Sequence, residues 1–131
     1  MQVDPEQLAA IPLLEGLDPF SLGTIAENSV KTYVRPGFRL VAEGESGFSF
    51  SMILSGSAEV RVAGETVATL GKGDVFGEMA IVSGRTRNAD VVATSEMVLA
   101  SMMVWDFRAM IDRHGEVRQR LEQLIAERSA G

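Results

Sequence analysis

The residues best suited to chemistry in this sequence are Gly77, Glu78 and Arg87, which share one glycine-containing segment. The guanidinium of Arg87 can bind a phosphate through two parallel N–H donors. Gly77 lets the main chain approach a ligand closely because it carries no Cβ. The carboxylate of Glu78 can accept a hydrogen bond from a sugar hydroxyl. Together these residue types indicate a site for a ligand that carries a phosphate and a sugar.

The segment Phe76–Ile81 has the composition of a single helical turn set between two strands. The first amides of such a turn have no partner inside it and point outward, which suits an anionic phosphate. Arg87 opens the next predicted strand and can reach the same anion. Taken alone, Glu78 and Arg87 are equally suited to a structural ion pair, and Arg85 is interpreted as a solvated loop cation.

The sequence offers no second group of residues for catalysis. Its single histidine, His114, lies near a predicted helix joint and is interpreted as a surface or capping residue. It has no cysteine, which excludes a disulfide framework, a thiolate metal site and a cysteine nucleophile. A metal-dependent cupin needs several His or carboxylate ligands around one ion, and the motifs of serine hydrolases and phosphate-loop NTPases are absent. The sequence therefore predicts a binding domain without metal or cofactor rather than an enzyme.

Short runs rich in β-branched residues fill residues 31–104 and alternate with turn signals at intervals of about eight to twelve residues. Within Ala58–Val62 the apolar side chains alternate with Glu59 and Arg61, as in a half-buried antiparallel strand. This pattern predicts a mainly β fold, an antiparallel β-roll of the double-sheet jelly-roll type. The predicted strands are Lys31–Arg35, Arg39–Glu43, Phe48–Leu54, Ala58–Val62, Thr66–Leu70, Asn88–Ala93 and Met97–Val104.

Helical patterns flank the β-region on both sides. Asp18 is a good N-cap, with Pro19 at the first helical position. In residues 106–128 apolar residues recur at three- and four-residue steps. Gly115, which costs about 1 kcal/mol inside a helix relative to alanine, is predicted to join two helices. We therefore predict one domain over residues 1–131, with an N-terminal helical motif (1–30), a β-roll (31–104) that contains the binding segment (76–91), and C-terminal helices (105–128).

Composition and charge limit the kinds of partner. With 46% hydrophobic and 23% charged residues, the 131-residue chain is typical of one soluble globular domain. A net charge of −6 disfavours nucleic acid, because nucleic-acid-binding proteins present a basic face to phosphates. No apolar run approaches the ~20 residues that span a bilayer, and the N-terminus lacks the features of a signal peptide. We therefore expect a cytoplasmic protein with no membrane span.

The binding segment resembles the phosphate-binding cassette of cyclic-nucleotide-binding domains, such as those of protein kinase A regulatory subunits, catabolite activator proteins and cyclic-nucleotide-gated channels. That cassette follows the pattern Phe-Gly-Glu-(Leu/Ile)-Ala-Leu, a variable stretch, then Pro-Arg-(Ala/Ser/Thr)-Ala-x-Val. The corresponding residues here are Phe76–Ile81 and Thr86–Val91. The turn glycines of the β-region and the leading stretch Ile11–Leu17 also resemble the family, so the likeness covers nearly the whole chain.

The resemblance implies a role for each residue of the site. Arg87 would pair with the cyclic phosphate, and Glu78 would bind the ribose 2′-hydroxyl. Main-chain amides near Ala80 and Ala89 would complete the phosphate cradle, while inward-facing apolar residues would line the sugar and base. The full predicted set of ligand-binding residues is Gly77, Glu78, Met79, Ala80, Arg87, Asn88, Ala89, Val60, Val67 and Leu70.

Three positions depart from the family pattern. Thr86 replaces the usual proline, which removes rigidity more than chemistry. Asn88 stands where the family often has alanine, serine or threonine. Asp90 adds a negative charge near the cassette, although strand alternation would direct it away from the pocket if Ala89 points inward. The last helix also lacks an obvious aromatic lid for the base, a role left to Leu121, Leu124 or Ile125.

The resemblance implies a non-catalytic sensor of a cyclic purine nucleotide, either cAMP or cGMP. It favours cAMP, because the threonine associated with cGMP preference is absent at Asn88. The C-terminal helices would move on binding to alter a protein partner, and they are also a candidate homodimer interface. No helix-turn-helix follows them before Gly131, so either a DNA-binding part never existed or the chain is an excised regulatory domain. The alternative is a protein-interaction module that kept the fold and lost the ligand.

Overall fold

The computed structural model describes residues 2–41, 49–77 and 89–130, which form two four-stranded antiparallel sheets with helices at both ends of the chain. One sheet has the strand order β1-β8-β3-β6 and the other the order β2-β7-β4-β5. This architecture confirms the predicted double-sheet β-roll. The strands are β1 (Val30–Val34), β2 (Arg39–Val41), β3 (Ser49–Ser55), β4 (Ala58–Val62), β5 (Glu65–Leu70), β6 (Val75–Phe76), β7 (Asp90–Ala93) and β8 (Met97–Met103).

One of these strands was not predicted. Phe76 forms the two-residue strand β6 with Val75, so the prediction that it begins a helical turn is wrong. Two residues are too few for an alternation of apolar and polar side chains to be recognised in a sequence. The strands predicted from longer patterns occur within one or two residues of their expected bounds, although Ala42, Glu43, Phe48 and Asn88 lie outside the described residues.

Helices precede and follow the two sheets along the chain. They are α1 (Pro5–Ala9), a 3₁₀ helix (Pro12–Leu14), α2 (Pro19–Glu27), α3 (Val104–Arg113) and α4 (Gly115–Ala130). The Asp18 carboxylate accepts a hydrogen bond of 2.7 Å from the Ser21 amide, which confirms the predicted N-cap. That bond lowers the pKa of Asp18, with a smaller contribution from His114. His114 has extended backbone angles between α3 and α4, as expected of a joint at this point.

A first apolar cluster fills the space between the helices and the sheet that contains β3. Phe50, Met52 and Leu54 point to this side because alternate residues of a strand share a face. Phe50 stacks on Phe107 of α3 with ring centroids 4.3 Å apart. This cluster fixes the helices to one face of the β-roll.

A second apolar cluster lies between the two sheets. Ile53 and Leu99 contribute from one sheet, and Val91 and Ala93 from the other. Phe76 belongs to the same cluster, so the short strand β6 ends beside the inter-sheet space. A candidate site in the segment after β6 is therefore positioned by both sheets.

Candidate functional site

The described structure brings the two ends of the candidate site to the inter-sheet space. Gly77 directly follows β6 and has a φ of 94°, a left-handed conformation that favours glycine. Ala89 directly precedes β7 and is 9% exposed. The predicted cassette therefore leaves one sheet at Gly77 and joins the other at Ala89.

Strand β7 shows which side of the chain faces the inter-sheet space. Ala89, Val91 and Ala93 are buried, whereas Asp90 and Val92 between them are only half-buried. Asp90 thus lies on the other face of the strand, where its cross-strand neighbour is Arg61. The expected direction of Asp90, away from the pocket, is confirmed, and its charge lies beside one of opposite sign.

Two of the predicted apolar contacts lie on the wall of this space. Val60 and Leu70 are half-buried and pack against the inter-sheet cluster. Val60 lies opposite Val91 in the ladder between β4 and β7. Their partial exposure leaves apolar surface that a ligand can cover.

Val67 differs from the other two predicted wall residues in its exposure. It is 60% exposed and lies at the point where the register between β4 and β5 shifts, since Val60 pairs with Ala68 but Arg61 pairs with Thr66. The extra residue of such a bulge breaks the simple alternation of faces. The place of Val67 in the predicted wall therefore stays a prediction.

The remaining predicted ligand contacts lie outside the described residues. These are Glu78, Met79, Ala80, Arg87 and Asn88. Their assigned roles therefore stay predictions. The described structure supplies the frame on either side of them.

One residue near the site was missed by sequence analysis. Arg128 of α4 donates a hydrogen bond of 2.7 Å from Nη2 to the carbonyl oxygen of Val75 in β6. The acceptor is a main-chain carbonyl, and every residue type has one. No pattern of residue types in the sequence therefore indicates this contact.

The described part of the chain lacks other chemistry that would compete with this site. Within it, no group of three or more His, Cys, Asp or Glu residues could hold a metal ion. Among the described helices, none is long and apolar enough to cross a membrane. One surface groove runs between α2 and α3, and another lies under α4. Leu124, a candidate lid for the base, lines the second groove, whereas the described residues of the predicted ligand-binding set line neither.

Sequence comparison places this chain beside regulatory proteins. Residues 31–114 match the family model described as the cyclic nucleotide-binding domain. The cAMP-dependent protein kinase regulatory subunit of Yarrowia lipolytica is 36% identical over 97 residues, which are 72% of this chain and 26% of that protein. A cyclic nucleotide-gated potassium channel of Rhizobium etli is 32% identical over 124 residues, or 95% of this chain and 35% of the channel. The chain spans about a quarter of the length of the first curated relatives it matches.

The solved structures similar to this chain also include regulatory subunits of protein kinase A. The regulatory domain of Toxoplasma gondii PKA with cAMP has a TM-score of 0.83 and 26% identity, covering 94% of this chain and 48% of that one. The regulatory subunit of a cAMP-independent protein kinase A from Trypanosoma brucei has a TM-score of 0.84 and 30% identity, covering 91% and 43%. The catabolite activator protein of Thermus thermophilus has a TM-score of 0.80 and 28% identity, covering 91% and 58%. The family match and these regulatory relatives confirm the prediction of a binding domain rather than an enzyme.

Proposed function

This chain belongs to the cyclic nucleotide-binding domain family, and from that premise we propose that it is a ligand sensor that binds one cyclic purine nucleotide, with cAMP favoured over cGMP. The observation that carries the proposal is the position of the cassette motif in the fold. Gly77, with its positive φ, directly follows β6, and buried Ala89 directly precedes β7, so the two ends of the motif lie at strands of different sheets.

In this proposal, the cassette binds the sugar and the phosphate. Arg87 pairs with the cyclic phosphate, Glu78 accepts a hydrogen bond from the ribose 2′-hydroxyl, and main-chain amides near Ala80 and Ala89 complete the cradle. Support comes from β7, whose buried positions at Ala89, Val91 and Ala93 recur every second residue. In the sequence, Arg87 stands one further step along the same series. Met79 and Asn88 complete the proposed set of cassette residues.

The base has an apolar wall in this proposal. Val60 and Leu70 retain exposed apolar surface next to the inter-sheet cluster, and covering such surface gains roughly 25 cal/mol per Å². The preference for cAMP rests on Asn88, which stands where a threonine is associated with cGMP. The T. gondii domain, solved with cAMP, is consistent with this ligand class.

A second candidate function has a specific observation in its favour. The T. brucei regulatory subunit, at 30% identity, is described as part of a cAMP-independent kinase, and that of T. cruzi is described as bound to guanosine. Domains similar to this chain thus differ in their ligand. A protein-interaction module that kept the fold without cyclic-nucleotide binding is therefore the alternative.

The sensing role extends to the helices that follow the β-roll. We propose that α3 and α4 carry the effect of the ligand to a protein partner in the cytoplasm, and that they provide the interface of a homodimer if one forms. Kinase regulatory subunits among the relatives make a regulated protein the natural class of partner.

Titration of the purified chain with cAMP and with cGMP tests the proposal. Calorimetry is expected to show one site per chain and tighter binding of cAMP. A lack of both heat and thermal stabilisation with either nucleotide at high concentration would rule out the sensor and favour the interaction module. Tighter binding of cGMP would retain the sensor and overturn its proposed preference.

A further inference from the structure

The carbonyl group of Val75 points to the open edge of its sheet. The Asp74 carbonyl oxygen accepts a hydrogen bond of 2.9 Å from the Ile53 amide and therefore points toward β3. Consecutive carbonyls of a strand point to opposite sides, so that of Val75 points away from β3. Since β6 is the last described strand in the order β1-β8-β3-β6, no described strand of this sheet lies on that side to donate a hydrogen bond to this carbonyl.

Arg128 occupies this edge in place of a strand. Its Nη2 donates to the Val75 carbonyl oxygen at 2.7 Å, a charge-assisted bond that is stronger than one between neutral groups. The side chain of Val75 is buried, at 3% exposure, so the strand itself is anchored in the first apolar cluster. The guanidinium thus binds the edge of β6 that faces away from β3. On the opposite edge, the described residues of β6 pair with β3 at two positions.

The attachment of α4 to the β-roll weakens along its length. Val117 and Leu121 are fully buried, whereas Leu124 and Ile125 are half-buried. The docking of the last turns therefore depends on few contacts. The hydrogen bond of Arg128 connects these turns to the strand that leads into the cassette.

A second arginine of the same helix makes a comparable contact elsewhere. Arg120 donates from Nη1 to the carbonyl oxygens of Glu15 at 2.6 Å and Leu13 at 3.2 Å. These acceptors belong to the 3₁₀ helix and the residue after it, outside the β-roll. Arg120 therefore shares residue type, helix and kind of acceptor with Arg128, but its two hydrogen bonds go to the N-terminal helical motif.

We propose that Arg128 is a positioning residue for the ligand site, because it fixes β6 and thereby Gly77 at the start of the cassette. This inference rests on the proposed function for its effect on binding. The strand that leads into the cassette and the last turns of α4 are thus linked through the main-chain carbonyl of Val75. Because such coupling is reciprocal, a ligand that fixes Gly77 also favours docking of those turns.

The first test needs no ligand. In Arg128→Met, which keeps the side-chain length and removes the donors, the amides of Phe76 and Gly77 are expected to exchange with solvent deuterium faster than in the wild type. Arg128→Lys, which keeps a charged donor, is expected to restore part of the protection. Arg120→Met is the matched control and is expected to leave these two amides unchanged. Unchanged exchange in Arg128→Met would overturn the proposal.

The second test measures cAMP affinity by calorimetry. Arg128→Met is expected to weaken binding about fivefold or more, the lower end of typical coupling between sites, with partial recovery in Arg128→Lys. Arg120→Met is expected to lower the thermal midpoint without this loss. Equal losses in both methionine variants would point to general destabilisation, and tighter binding in Arg128→Met would point to an inhibitory contact, so either result overturns the proposal. A wild type that does not bind counts against the proposed function, and the exchange test still decides whether Arg128 positions β6.

Discussion

At the residue scale, Arg87 and Arg85 of the same segment are predicted to have different roles. Arg87 is the proposed ligand contact, and Arg85 is interpreted as a solvated charge. Arg87→Ala is expected to abolish most nucleotide binding, because a charge-assisted contact to phosphate is worth ~1.5–3 kcal/mol, or on the order of 10–150-fold in affinity. Arg85→Ala removes the same charge from the same segment and is expected to change the affinity little. Calorimetric titration of both variants makes the comparison, and equal losses would show that the wrong arginine was assigned.

The candidate site shows which residues a sequence can identify. Gly77 and Ala89 were identified by their place in a motif, and the structure puts both at the inter-sheet space. The direction of Val67 does not follow from alternation, because a register shift between β4 and β5 interrupts the pattern there. Arg128 was missed because its partner is a main-chain carbonyl, which every residue type supplies.

At the element scale, the strands were predictable where alternation and turn residues acted together. Strand β4 has the bounds that its alternating pattern predicted, Ala58–Val62. Strand β6 escaped prediction because its two residues are fixed by pairing with Ser51 and Met52, which are distant in sequence. Local pattern thus accounts for the strands that build the sheets, whereas the strand beside the site depends on tertiary pairing.

The turn between β3 and β4 depends on a glycine that no other residue can replace. Gly56 has a φ of 94°, and a Cβ there would overlap the Glu96 carbonyl oxygen and lie 2.8 Å from the Met97 Cα. Gly56→Ala is therefore expected to lower the free energy of unfolding by on the order of 3 kcal/mol or more, since backbone strain and a steric clash combine. Urea unfolding of the ligand-free chain measures the change.

Gly64, in the turn between β4 and β5, provides the control. An alanine at its φ of 83° would be strained in the same way as at Gly56, but the added Cβ would meet no atom within 4 Å. Gly64→Ala is expected to cost only ~1–2 kcal/mol, the penalty of a left-handed conformation. If the two variants lose equal stability, the close approach of the chain at Gly56 contributes nothing.

At the scale of the whole molecule, one sheet separates two kinds of packing. The strand pair β3 and β8 presents one face to the helices and the other to the inter-sheet space, so every second residue serves a different cluster. Ser51 and Ser101 pair across these strands with their hydroxyl oxygens 2.9 Å apart. A rigid sheet of this kind holds the helices on one side of the molecule and the candidate ligand wall on the other.

The helices after β8 are expected to respond to ligand although the sheet lies between. They dock mainly through one apolar stripe, including fully buried Phe107 and Val117, and α3 and α4 meet at the extended residue His114. A pair of helices held in this way can adopt two packings that differ by a few kcal/mol. A ligand selects between them only if it contacts one packing better than the other, and the contact of Arg128 with β6 provides such a link.

Hydrogen exchange with and without cAMP tests this response in the full chain. Protection is expected to rise at Gly77 and Ala89 and again across residues 106–128, because fixing β6 favours the docked arrangement of α4. The central strand β8 serves as the internal control, since it pairs with β1 on one side and β3 on the other and its amides should not change. If the amides beside the cassette respond and those of residues 106–128 do not, the helices are static packing, and the chain binds its ligand without signalling through them.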